Sequence, residues 1–117
     1  METGAMIKKI APALLIVLAG CASKPALYEW GSYQPQLYAY FQAEGGFEVQ
    51  LIALEVDLQK MRAVGKNPPP GFHAHLGLLY SHLGKVDQMV QAFRTEKALY
   101  PESGAYMDFL LKKAVKP

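Results

Sequence analysis

The sequence holds a single cysteine, no apolar run long enough to span a bilayer, and no surplus of either charge: 12 Lys and Arg stand against 10 Asp and Glu, a formal net charge of +2. Each shortage excludes something. With Cys21 as its one thiol, the chain cannot form an internal disulfide, so the fold is not covalently stapled. Balanced charge leaves no basic stripe for a nucleic acid, which is therefore not an expected partner. The apolar run Ile10 to Gly20 is about eleven residues, against the roughly 20 that a membrane-crossing helix needs. Valine and isoleucine are thinly scattered and do not alternate with polar residues, which speaks against half-buried strands.

The short apolar run has a different use. Lys8 and Lys9 precede it, Pro12 interrupts it, and the small residues Ala19 and Gly20 close it. A positive region, a short apolar region and a small-residue exit make a secretory signal peptide, and the proline opposes a long unbroken helix. Leu18-Ala19-Gly20-Cys21 resembles the lipobox of bacterial lipoproteins. That resemblance implies recognition of Leu18, Ala19 and Gly20 by the signal peptidase and removal of residues 1–20. It further implies diacylglycerol on the Cys21 sulfur and acylation of the new amino terminus. A lone exported cysteine needs a fate, and acylation supplies one. At roughly 0.8 kcal/mol per buried methylene, several acyl chains would make release from a bilayer negligible. Ala22, Ser23 and Lys24 follow the cysteine, with no Asp at the second position. The resemblance then implies the outer membrane, with the domain facing the periplasm.

Loss of residues 1–20 removes Glu2, Lys8 and Lys9 and leaves 10 basic and 9 acidic residues, enough chain for one domain with a modest core. Residues 21–34 read as a lipidated tether, because Pro, Gly and Ser occur there without a period. Residues 35–117 read as helices. "PQLYAYFQAE" gives a first helix stopped by Gly45-Gly46, with Pro35 at its first position. In the second, Phe47, Leu51, Leu54, Leu58 and Met61 fall on one face that Ile52 and Val56 widen. Gly65 and "KNPPP" end it. The third carries Phe72, Leu76, Leu79 and Leu83 to Gly84, and the fourth Met89, Val90 and Phe93 to Pro101. A fifth starts near Ser103 and ends with Lys112 and Lys113, where positive charge suits the carbonyl end of the helix.

"HAHLGLLYSHLGKVDQMVQAFRTEKALYP" resembles a tetratricopeptide repeat, with Leu76-Gly77 and Tyr80 in its first helix, Phe93 in its second and Pro101 at its close. Gly77 lets a neighbouring helix approach, and Tyr80 with Phe93 fills the space between the pair. His73, Met89 and Glu96 depart from the repeat pattern. The expected architecture is all-α: a short stack of antiparallel helix pairs with a C-terminal capping helix. In such stacks the inner face of the first helix receives an extended peptide, which the resemblance carries onto Ala74, Leu78, Ser81 and His82.

No catalytic set is visible. His73 and His75, two apart on a helix, point to different faces. His75 and His82 share a face but lack the third ligand that a catalytic zinc needs. Ser81 and His82 face different ways, and Glu55 and Asp57 diverge on an exposed face. No metal, no cofactor and no enzymatic activity are expected. Tyr28, Trp30 and Tyr33, with Tyr38, Tyr40 and Phe41, make an aromatic cluster that either seats the tether or forms a partner surface, since Trp and Tyr are enriched at interface hot spots. A weaker version has their rings stack on cell-wall glycan or a small ligand, and an unrecognised envelope hydrolase is the other alternative.

Taken whole, the lipobox, "YEWGSYQPQLYAYF", "PPPGFHAHLGLLY" and "EKALYPESGAYMDFLLKK" resemble a family of small bacterial lipoproteins whose shared domain has no assigned function. Members tend to be encoded beside a CsgG-like lipoprotein. The resemblance implies a helical protein–protein interaction adaptor in an envelope assembly, with that lipoprotein as partner.

Overall fold

The computed structural model describes residues 26–115. The expected signal peptide, its expected recognition residues Leu18, Ala19 and Gly20, and the expected lipidation site Cys21 lie outside the described residues. Within them run α1 (Tyr33–Phe41), α2 (Phe47–Ala63), α3 (Phe72–His82), α4 (Val86–Leu99), a 3-10 turn (Pro101–Ser103) and α5 (Gly104–Val115). No strand occurs among the described residues. The fold is the expected all-α stack: each helix packs on the next, α3 and α4 are the most closely paired, and α5 covers α4.

The first three helices end by one device. The α2 end places Gly65 at φ +68°, with Gly65 N–H donating to Arg62 O at 3.2 Å and Lys66 N–H to Met61 O at 3.0 Å. Gly84 and Lys85 repeat both bonds at the α3 end, onto Ser81 O and Tyr80 O. These are Schellman caps, in which a left-handed residue turns the chain so that two otherwise orphaned carbonyls are satisfied. Helix α1 closes the same way but at Ala43, whose φ is +54°, with Glu44 N–H on Ala39 O at 2.9 Å. It therefore stops at Phe41 rather than running to Gly45. An L-residue there costs about 1–2 kcal/mol in strain, more than glycine would cost in unfolded-chain entropy. Ala43→Gly is expected to stabilise the domain by about 0.5 kcal/mol and raise its melting temperature by a few degrees in a thermal scan.

The core has two connected parts. Leu51, Leu54 and Met61 of α2 meet Phe72, Leu76 and Leu79 of α3, with Tyr33 at one end. Met89 and Phe93 of α4 meet Met107 of α5. Between the parts, the Phe93 ring lies directly over Gly77: an added Cβ would sit 2.2 Å from Cε1. The close approach expected at that glycine is present. Two expectations for α2 need correction. Ile52 and Val56 do not widen its buried face; they are 54% and 43% exposed, because α2 is covered only on the side that meets α1 and α3. Glu55 and Asp57 are not on an open face either. Tyr80 donates to Glu55 Oε1 at 2.6 Å, and Ser32 donates to Asp57 Oδ2 from its backbone N–H at 2.7 Å and from its hydroxyl. Burial, then the Glu55 hydrogen bond, pushes the Tyr80 hydroxyl up to about 12.

The Asp57 contact fixes the segment before α1. Glu29 N–H donates to Asn67 O at 3.1 Å, and Tyr28 meets the Tyr100 ring edge-on with centroids 5.9 Å apart. Tyr100 in turn donates its hydroxyl to Pro68 O. The residues from Tyr28 to Ser32 thus lie against the bundle.

Candidate functional site

A cavity of about 510 Å³ opens between α1, α3 and α5. Helix α1 supplies Tyr33, Leu37, Tyr40 and Phe41, which fall on one face at steps of four, three and one. Helix α3 supplies Ala74, His75 and Leu78, and α5 supplies Tyr106 and Met107. At the start of α3 the backbone of Gly71 is left-handed, φ +94°, and a side chain there would strike the Tyr33 hydroxyl at 2.8 Å. Glycine is what allows α1 and α3 to share this corner.

The remaining lining residues, Glu96 and Ser103, are polar. Glu96 is fully buried although it belongs to α4, because its side chain crosses to the start of α3. There Gly71 N–H donates to its Oε1 at 2.7 Å, and Ser103 Oγ lies 3.5 Å from the same oxygen. Burial, and second the nearby Glu96 charge, raises the Tyr33 hydroxyl above its ordinary value. His75 is pushed down to about 4 by burial alone. It packs edge-on against Tyr40 at 4.9 Å and meets the Tyr33 ring at 6.2 Å.

Of the sequence-predicted residues, Tyr33, Tyr40, Phe41, Ala74 and Leu78 come together in the groove, while Tyr38 of the same aromatic cluster is 64% exposed and does not line it. Trp30 flanks it, 42% exposed and 6.2 Å from the Tyr33 ring. His82 stands at one end, where Phe47 stacks on it at 4.2 Å and its Nε2 lies 2.9 Å from the Tyr40 hydroxyl. Ser81 is exposed and does not line the groove, and Tyr28 is taken up by Tyr100. Sequence reasoning missed Leu37, Glu96, Tyr106 and Met107. The signal for Glu96 was present. Met89, Ala92, Phe93 and Glu96 sit at steps of three, one and three, so a carboxylate occupies the inward face of α4.

The fold and groove define a small helical stack with an apolar cleft and a few convergent polar groups, the usual form of a binding surface. The chain belongs to the family described as a domain of unknown function (DUF4810), whose model matches residues 27–110. No curated protein and no solved structure matches it.

Proposed function

We propose that the chain is an outer-membrane lipoprotein adaptor, held through acyl chains on Cys21, that docks an envelope protein in the groove between α1, α3 and α5. A CsgG-like lipoprotein is the proposed partner, and no catalysis is assigned to the chain. The observation that carries this reading is the groove itself. Leu37, Leu78 and Met107 give its volume of about 510 Å³ apolar walls. Support for a tetratricopeptide-like unit comes from Phe93 seated on Gly77 and from Ala74 and Leu78 of α3 facing the cavity.

The test places a photo-crosslinking residue at Leu78 in cells, with a second at exposed Gln59 on α2 as control. Position 78 is expected to join the CsgG-like lipoprotein in the membrane fraction, and position 59 is not. Absence of that adduct at 78, with the protein folded and membrane-bound, would refute the adaptor reading.

A further inference from the structure

The groove's walls are apolar, but its floor is where the chain leaves its own polar chemistry unfinished. Glu96 is fully buried and His75 is 3% exposed, both line the cavity, and each keeps one polar atom without a hydrogen-bond partner: Glu96 Oε2 and His75 Nε2. Buried polar side-chain atoms are seldom left unpaired in native proteins, so two around one cavity point to a ligand that completes them.

We infer that the floor of the groove accepts a primary ammonium, the head of a lysine side chain carried by the segment that docks there, with Glu96 Oε2 and His75 Nε2 as acceptors. This rests on reading the groove as a docking surface. Charge selects a cation: among the residues that line the cavity Glu96 is the one Asp or Glu, and none is Lys or Arg. Geometry selects ammonium over guanidinium. Arginine matches a carboxylate two donors to two oxygens, but Gly71 N–H at 2.7 Å and the Ser103 hydroxyl at 3.5 Å already face the two lone pairs of Oε1, which leaves Oε2. An ammonium spreads three donors to separate acceptors. His75 serves as one of these because burial keeps its ring neutral down to about pH 4. The apolar walls suit the methylene stem of lysine, which buries its chain while its head seeks polar partners.

Trp30, the single tryptophan, lies 6.2 Å from the Tyr33 ring and reports on the site by fluorescence. The full chain in detergent micelles is titrated with short apolar peptides, blocked at both ends, that differ only in a central lysine, arginine or norleucine. The lysine peptide is expected to bind about tenfold tighter than the norleucine peptide, the ratio one charge-assisted hydrogen bond supplies, and tighter than the arginine peptide. Glu96→Gln keeps an oxygen for Gly71 N–H and is expected to bring the lysine peptide down to the norleucine value. Circular dichroism checks that this variant is folded, and the peptide comparison on the wild-type chain needs no variant. Equal affinity for lysine and norleucine overturns the ammonium site and leaves docking intact. A lysine preference that survives in folded Glu96→Gln also overturns it. Binding of neither peptide overturns it too, and the crosslink at position 78 then decides separately whether the docking reading stands.

Discussion

Acidification from about pH 6.5 to about pH 4 is expected to remove a large part of the domain's stability. His73 and His75 are 5% and 3% exposed, and burial holds both rings down to about 4 from an ordinary 6.5, with the Arg62 charge adding to the effect on His73. In the unfolded chain each takes up a proton near pH 6.5, while in the folded chain each resists until about pH 4. Between those values the unfolded state holds more protons, so stability falls as pH falls; above and below them these two histidines contribute no slope. At about 1.4 kcal/mol per pH unit, each histidine costs up to about 3 kcal/mol at the acid end. Small domains have roughly 5–15 kcal/mol in all, so the pair accounts for a substantial share of it. Thermal unfolding at pH 7 and pH 4.5 checks it. The melting temperature should drop by more than about 10 °C, since a change of 1 kcal/mol moves a domain this size by about 4–8 °C. His75→Phe, which keeps an aromatic edge for Tyr40, should flatten about half of the slope. An unchanged melting temperature across that range would show that the rings are not held neutral.

Gly77→Ala is expected to destabilise the domain by about 3 kcal/mol, against the direction of helix propensity. In an exposed helix the same change stabilises by about 1 kcal/mol. Here the new methyl would lie 2.2, 2.5 and 2.9 Å from three atoms of the Phe93 ring. The ring has nowhere to go: Phe93 is 1% exposed and packs with Met89 and Met107. Overpacking of a filled core costs about 1–3 kcal/mol, and contacts this short belong at the upper end. Urea unfolding of Gly77→Ala, Phe93→Leu and the double variant gives the coupling. The double variant should be less destabilised than the two singles added together, because the smaller side chain relieves the clash. Strict additivity would mean that ring and glycine do not oppose each other.

Period and punctuation carried the fold well. Gly65, Gly84 and Pro101 marked real helix ends, for a physical reason that local sequence contains. Only glycine takes the left-handed cap cheaply, and a residue before proline, such as Tyr100 with φ −131°, avoids the helical region. The closing of α1 at Ala43 was illegible because alanine carries no such mark, and the strain is tolerated for the two capping bonds it permits. The inward stripe of α2 could be read, but not how far round the helix the cover extends. Ile52 and Val56 are apolar either way, and only the position of α2 at the edge of the stack exposes them. Of the groove, the α3 wall at Ala74 and Leu78 was legible from repeat spacing. The aromatics of the α1 wall, Tyr33, Tyr40 and Phe41, were legible as a cluster but not as a wall, and the α5 wall was not legible, because both depend on how helices distant in sequence meet. The buried carboxylate of Glu96 was visible only as an oddity in a pattern, since its partner, the Gly71 amide, lies 25 residues away.

The bonds from Ser32 to Asp57 and from Glu29 to Asn67 shorten the leash. Were Cys21 seated in a leaflet as proposed, the chain from it to Tyr28 could reach at most about 25 Å even at full stretch. The bundle would then ride close to the headgroups and swing about a fixed pivot, so a partner that reaches its cleft must itself stand near the membrane surface.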